Sequence, residues 1–306
     1  MNILITGSKG LIGYALEKRL AVFGIKVWGF DVKNHPYQTI LDGKALEKSI
    51  EGCVGIVHLA GTSRVVTAER FPLTCLKNNI DGTQNVINAA LKSPLKPWII
   101  YASSREIYGQ QKTLPVEEDA TPTPMNVYAY SKVAAETKMR EARERGLCTN
   151  VLRFSNVFGS PFDHADRVIP AFCRAALLER PLYVEGSKNM FDFTFVDDVV
   201  EGIHRMIHSL LESPQNFSSI HLTTGRGITL EEAAHIIKNQ ANSKSALVEK
   251  PSRSFDVAHF YGNPKRAKDL LGWQASFSFE TAIETFLPLV QKQLEREGLF
   301  LNKVAS

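Results

Sequence analysis

The first 31 residues constrain the fold more than any other stretch. The apolar run "NILIT" (2–6) leads into "GSKGLIG", which carries Gly7, Gly10 and Gly13; a helical pattern starts at Leu11, and "KVWGFD" ends on Asp31. Glycines between a strand and a helix let backbone N–H groups and the helix N-terminus come close to a pyrophosphate. An acidic residue at the end of the next strand accepts hydrogen bonds from ribose hydroxyls. A glycine triplet alone is a weak signal, but here it sits inside a complete strand–helix–strand unit. An Asp at position 31 repels a 2′-phosphate, so the expected cofactor is NAD and not NADP, with Lys33 two residues on pulling the other way.

The alternation continues through a helix near 45–50, "GIVHLAG", a helix across 79–91, "PWIIYAS", a helix from Ala129 and "TNVLRFS". Continuous apolar strands separated by amphipathic helices describe βαβ units and a parallel sheet covered on both faces. The expected class is α/β, a Rossmann-type doubly wound parallel sheet with a smaller C-terminal α/β substrate lobe. The division falls at 1–159 for the NAD-binding domain, with the Tyr/Lys helix, and 160–306 for a mainly substrate-binding lobe from which some segments return to the first domain.

Composition narrows the partners. With 36 basic against 32 acidic residues and no basic tract, nucleic acid is not expected, and an anionic small substrate suits the balance. No run approaches the roughly 20 apolar residues of a membrane helix, and the N-terminus lacks the basic region of a signal peptide. Cys53, Cys75, Cys148 and Cys173 show no Cys-x-x-Cys spacing, so neither a metal site nor a disulfide framework is expected, and a reducing cytoplasm is the default.

"NVYAYSKVAAE" sets Tyr128 and Lys132 four residues apart, on one face of a helix. A phenol with an ordinary pKa of about 10 is a poor base at neutral pH, but an ammonium and a cationic nicotinamide nearby would lower it. A lone Tyr-x-x-x-Lys is more often a surface tyrosine and a solvated lysine. This one follows Ser103 and Ser104 at the carboxyl end of a strand, where open parallel sheets bind their ligands.

With these motifs in order, joined by "HLAG" (58–61), "NNIDGTQNV" (78–86), "SSREIYG", "LRFSNVFG" (152–159), "DFTFVDDVV" (192–200), "RSFD" and "LLGW", the chain resembles the extended short-chain dehydrogenase/reductase family, in particular its nucleotide-sugar epimerases, dehydratases and decarboxylases. The resemblance implies a catalytic set of Ser104, Tyr128 and Lys132, with Glu106 joining them in the lyases. For the cofactor it implies Gly7, Gly10, Leu11, Ile12, Gly13, Asp31, Leu59, Ala60, Gly61 and Asn79 together with Tyr128 and Lys132, and His58 as a lining or supporting group. For the substrate it implies Ser104, Arg105, Asn156 and Arg253, with "PLYVEG" (181–186) bordering the base. His58 and Asn79 read equally well as satisfied core polar groups.

Two departures matter. Members usually carry an Arg immediately before the Asp-Phe of "DFTFVDD", where it contacts the diphosphate; here that residue is Phe191, and Arg167 or Arg174 is the expected substitute beside Arg253, three residues before Asp256. The short interval from Asp31 to the helix near Ala45 leaves little chain for the usual third strand, and Asp42 is a weaker candidate for approaching the adenine. Glu106 matches the glutamate of the dehydratases and decarboxylases, but Arg105 replaces the Asp or Ser of the dehydratases and cannot act as an acid at neutral pH. Arg105 instead pairs with Glu106 or holds a substrate carboxylate. The expected activity is therefore an NAD-dependent nucleotide-sugar 4-epimerase like the UDP-glucose enzymes, ahead of a 4,6-dehydratase or a UDP-glucuronate decarboxylase-like enzyme; a non-catalytic NAD-binding sensor is the alternative from another class. The expected partners are a nucleotide-diphosphate sugar and a second copy of the chain, packed through the Tyr/Lys helix with Val133, Ala134 and Met139. Family usage points to polysaccharide biosynthesis.

Overall fold

The computed structural model describes residues 2–160, 162–253 and 257–299, so Asp256 lies outside the described residues. The N-terminal half runs β1 (Asn2–Thr6), α1 (Leu11–Val22), β2 (Lys26–Phe30), α2 (Gly43–Ile50), β3 (Cys53–His58), α3 (Val65–Arg70), α4 (Pro72–Leu76), α5 (Gly82–Lys92), β4 (Trp98–Ser104), α6 (Val127–Glu144) and β5 (Thr149–Phe154). Beyond it come β6 (Asn156–Phe158), α7 (Val168–Leu177), β7 (Leu182–Glu185), β8 (Met190–Phe191), β9 (Phe193–Phe195), α8 (Val196–Glu212), β10 (Ile220–Leu222), β11 (Ile228–Thr229), α9 (Leu230–Gln240), β12 (Leu247–Lys250), β13 (His259–Phe260), α10 (Lys265–Leu271) and α11 (Phe279–Arg296).

The main sheet is parallel, with the order β10-β5-β4-β3-β1-β2. β2 is its outer strand, and among the described residues no further strand lies beyond it in this sheet, as the short interval after Asp31 implied. Successive side chains of β1 face opposite ways: Ile3 and Ile5 enter a core with α1 and α8, and Leu4 enters a second core with α2, α5 and α6. Burial on both faces explains why these strands read as unbroken apolar runs. The chain reverses its winding between β1 and β3, and the two strands pair through Thr6 and His58 at their carboxyl ends.

The segments after Gly159 divide between two cores. α8 packs on α1, and β10 closes the main sheet beside β5. α7, α9 and α11 instead enclose Phe158, Phe191, Phe193, Phe195, Phe279 and Phe286 with the small sheets. A cleft remains between these cores, above the carboxyl ends of β1, β3 and β4.

α6 starts at Val127, two residues before the expected Ala129. Asn126 is the N-cap, its Oδ1 accepting the Ala129 N–H at 2.8 Å. From there Tyr128, Lys132, Ala135, Met139 and Ala142 form one buried stripe at helical spacing. Met139 is therefore in the core and not on a surface available to a partner, which corrects its assignment to a dimer face.

Candidate active site

A cavity of about 940 Å³ runs along the carboxyl ends of the main sheet, from the glycine turn to the small sheets. At one end are Gly7, Gly10, Leu11, Ile12, Gly13 and Asp31, with Leu59, Ala60 and Gly61 from the loop after β3. Two of the glycines are sterically required. Gly7 has φ +73°, and a Cβ there would lie 2.7 Å from the Ala60 nitrogen; a Cβ on Gly13 would lie 2.3 Å from the Gly7 oxygen. The tight turn brings the N-terminus of α1 to the cavity wall, with Gly10 as an N-cap that has no side chain to occupy the first N–H groups.

Asp31 is held by backbone alone: one carboxylate oxygen accepts the Lys9 N–H at 2.9 Å and the other the Lys33 N–H at 2.8 Å. Each oxygen keeps a lone pair for a vicinal diol. The glycine cradle and this carboxylate fit an adenosine ribose and pyrophosphate. Gln38, Thr39 and Ile40 line the wall next to Asp31, whereas Asp42 turns away to cap α2 through Lys44 and Ala45 at 3.0 and 3.1 Å. Its approach to an adenine is thus not realised.

His58 and Asn79 stand behind the wall. The His58 ring is buried between the hydroxyls of Thr6 (2.7 Å) and Thr83 (3.0 Å), and burial pushes its pKa down to about 3. Asn79 accepts the Thr62 N–H at 2.7 Å and donates to Ser131 at 2.8 Å. It thereby supports the loop carrying Gly61, whose Cβ would collide with its side-chain oxygen. Asn78, missed in the sequence, is the neighbour that lines the cavity; period and motif cannot separate two adjacent asparagines.

In the middle of the cavity are Ser104, Tyr128 and Lys132. The Lys132 ammonium donates to the Ala102 carbonyl at 2.7 Å, and burial lowers its pKa to about 8. Tyr128 is buried in the same cavity. Burial pushes its phenol up to about 12, the Ser104 hydroxyl pulls down through a hydrogen bond, and the Glu106 charge pushes up. Lys132 alone therefore does not make Tyr128 a base at neutral pH in this protein.

Arg105 and Glu106, the first residues of a 3-10 turn (Arg105–Tyr108), are both buried. The Arg105 Nη2 lies 2.8 Å from the Glu106 Oε1, and the Asn126 Nδ2 donates to the other Glu106 oxygen at 3.2 Å. The Arg105 Nε donates to the Asn156 Oδ1 at 3.1 Å, and the guanidinium lies 4.5 Å over the Phe191 ring. Phe191, read in the sequence only as a lost arginine, is the platform for Arg105. Nothing local signals that contact across so many residues.

Of the expected substitutes for that arginine, Arg167 lines the cavity, its Nη1 3.2 Å from Asp163, and Arg174 faces away, paired with Glu297. Arg253 also lines the cavity, half exposed, with its Nε 3.4 Å from Glu185. Sequence reasoning did not find Arg64, which meets Asp166 at 2.6 Å across the cavity mouth.

The fold and these groups define a Rossmann-type dinucleotide-binding α/β protein with a serine, a tyrosine and a lysine beside a second ligand space. A model described as the NAD dependent epimerase/dehydratase family matches residues 3–218. The chain belongs to that family of enzymes, and its cofactor is NAD. A UDP-N-acetyl-alpha-D-glucosaminuronate decarboxylase from Bacillus cytotoxicus is 30% identical over 291 residues, covering 87% of this chain and 88% of the relative. The crystal structure of a UDP-glucose 4-epimerase with UDP-glucose from Thermotoga maritima matches with a TM-score of 0.87 and 27% identity over 96% of this chain and all of the other. A Brucella ovis UDP-glucose 4-epimerase in complex with NAD matches with a TM-score of 0.87 and 25% identity, covering 94% and 98% of the two chains.

Proposed function

We propose that this protein is an NAD-dependent 4-epimerase of nucleotide-diphosphate sugars that works through a transient 4-keto sugar. The observation that carries this reading is the state of Glu106: buried, ion-paired to Arg105 and hydrogen-bonded by Asn126, with both oxygens engaged. A dehydratase needs a free acid/base pair here to take a C5 proton and protonate a leaving hydroxyl. An epimerase needs none. The UDP-glucose 4-epimerases to which the chain is similar support the same choice.

Bound NAD supplies a reversible hydride acceptor, so the reaction has no net oxidation. Ser104 holds the substrate 4-oxygen by its hydroxyl. Tyr128 would take the 4-hydroxyl proton during oxidation at C4 and return it during reduction of the turned 4-keto sugar. Lys132 would lower the electrostatic cost of the Tyr128 phenolate that must be present before the proton is taken, and the positive charge of bound oxidised NAD would act in the same direction. Asn156, Arg167 and Arg253 bind the nucleotide diphosphate. Residues 1–159 serve the cofactor and 160–306 mainly the substrate, with α8 and β10 returned to the first part. Two copies associate through α3, α4 and α6, where Val66, Phe71, Leu73, Met125 and Tyr130 are exposed apolar groups; light scattering at micromolar protein should give a dimeric mass, and a monomer would refute the pairing.

The test of the reaction is mass spectrometry of UDP-, dTDP-, GDP- and CDP-sugars after incubation with the NAD-loaded protein. Unchanged mass with altered chromatographic mobility supports epimerisation. Loss of water or of carbon dioxide overturns it in favour of a lyase, and no turnover with any sugar favours an NAD-binding sensor.

A further inference from the structure

We infer that Arg105 is a specificity-determining residue that receives the C6 carboxylate of the sugar, so that the substrates are nucleotide-diphosphate uronates. This rests on the 4-keto chemistry proposed above. It begins from an incomplete pairing. An arginine and a carboxylate that face each other fully make two parallel hydrogen bonds. Here Glu106 gives Arg105 one oxygen, at 2.8 Å, and its other oxygen accepts from Asn126 at 3.2 Å. The Arg105 Nε is used by Asn156 at 3.1 Å, and one face of the guanidinium is covered by Phe191 at 4.5 Å, with Phe260 at 5.7 Å. What is left is Nη1, buried and without a hydrogen-bond partner among the described residues. A buried cationic donor without an acceptor is unfavourable, and in native proteins such groups are met by protein, ordered water or a bound ligand.

Position in the chain says which part of the substrate can supply the acceptor. Arg105 lines the cavity immediately after Ser104, the residue assigned to the sugar 4-oxygen. In a hexopyranose the carbons next to C4 are C3, which carries a hydroxyl, and C5, which carries C6. The diphosphate is on C1, across the ring. C6 is therefore the site near Ser104 where a sugar can bear a carboxylate, and the one guanidinium nitrogen left on the aromatic platform is a charged donor suited to an anionic oxygen. The local charges agree. The ion pair of Arg105 and Glu106 cancels to first order, so the Lys132 ammonium leaves this part of the cavity with an excess of positive charge when the ligand arrives.

The experiment is calorimetric binding of UDP, UDP-glucose and UDP-glucuronate to the NAD-loaded protein, wild type and Arg105→Gln. For the wild type we expect UDP-glucuronate to bind about 10-fold or more tighter than UDP-glucose. In Arg105→Gln that preference disappears, read as the ratio of the UDP-glucuronate to the UDP-glucose affinity so that a loss common to both ligands cancels. A wild type without preference overturns the inference, and needs no variant to fold. An equal loss for all three ligands, UDP included, also overturns it and makes Arg105 a phosphate clamp. The two readings fail separately: a wild type that prefers the uronate but releases water or carbon dioxide from it refutes the 4-epimerase and leaves the carboxylate site standing. Epimerisation of UDP-glucose with no uronate preference does the reverse.

Discussion

Glu106→Gln separates a carboxylate that holds the site together from one that does chemistry. The carboxylate and its partner Arg105 are about nine-tenths buried, at 10% and 8% side-chain exposure. Removing one member of a buried ion pair outright costs about 3–5 kcal/mol, because the other charge is left uncompensated. Glutamine restores part of this. Its carbonyl oxygen can still accept from Arg105, but its amide nitrogen then faces the Asn126 Nδ2, donor against donor, in place of the 3.2 Å hydrogen bond. A lost hydrogen bond to a charged group is worth about 1.5–3 kcal/mol, so the variant should be destabilised by about 2–4 kcal/mol. Urea unfolding at fixed saturating NAD reads this as a lower midpoint with an unchanged slope. Epimerisation should persist within about 10-fold, since a 4-epimerase asks for no proton transfer from this carboxylate. Loss of the Glu106 charge also removes one of the causes that raise the Tyr128 pKa, which works in favour of the base. A stability change below about 0.5 kcal/mol, or a rate loss beyond about 100-fold at unchanged stability, would refute the reasoning, the second by making Glu106 a participant in the reaction.

Three further outcomes follow from the same geometry. Tyr128→Phe should lower turnover by about 10²–10⁴-fold while NAD affinity, measured by fluorescence, stays within about threefold; turnover near the wild-type rate would exclude Tyr128 as the base. Gly13→Ala puts a methyl group 2.3 Å from the Gly7 carbonyl oxygen and 2.7 Å from the Ser8 Cα, both backbone, so the turn must open and NAD affinity should fall; unchanged affinity would show that the cradle does not bind the cofactor. His58 and His221 are held by burial at a pKa of about 3 against an ordinary 6.5. Each therefore takes up a proton first in the unfolded chain: stability is full above pH 6.5 and is lost as the pH falls toward 3, by about 1.4 kcal/mol per pH unit per histidine. Asp192, raised by burial to about 6 from 3.8, opposes one of them between those two values, because there the folded state holds the extra proton. His58→Gln should flatten the decline in urea midpoint below pH 6.5, and an unaltered pH profile would count against the buried neutral imidazole.

What could be read from the chain alone lies within one or two neighbouring elements. The period of "NILIT" and "PWIIYAS" set strands buried on both faces, because a side chain alternates sides whatever lies beyond it. The glycines of "GSKGLIG" and Asp31 are joined by a single βαβ unit, and Tyr128 and Lys132 by one turn of helix. Those relations are fixed by local geometry, so the sequence alone put the glycine turn, Asp31 and the Tyr/Lys pair on one cavity, whereas it could not choose Asn78 over Asn79 as the lining residue. Contacts made by packing distant segments were not. Whether Arg167 or Arg174 faces the cavity depends on how α7 lies against α11, where Glu297 takes Arg174. Met139 is as apolar as an interface residue, and only the seating of α6 on the sheet makes it core. The Tyr128 pKa follows from how much of the phenol is desolvated, a property of everything around it. The pair Arg105 and Glu106 shows the limit most clearly. Adjacent in sequence, they read as two opposed clues about the reaction. Tertiary structure joined them into one ion pair, seated it on Phe191 from a strand of the other lobe, and left one guanidinium nitrogen without an acceptor, because burial turns the orientation of each donor and lone pair into a free-energy difference that no local pattern encodes.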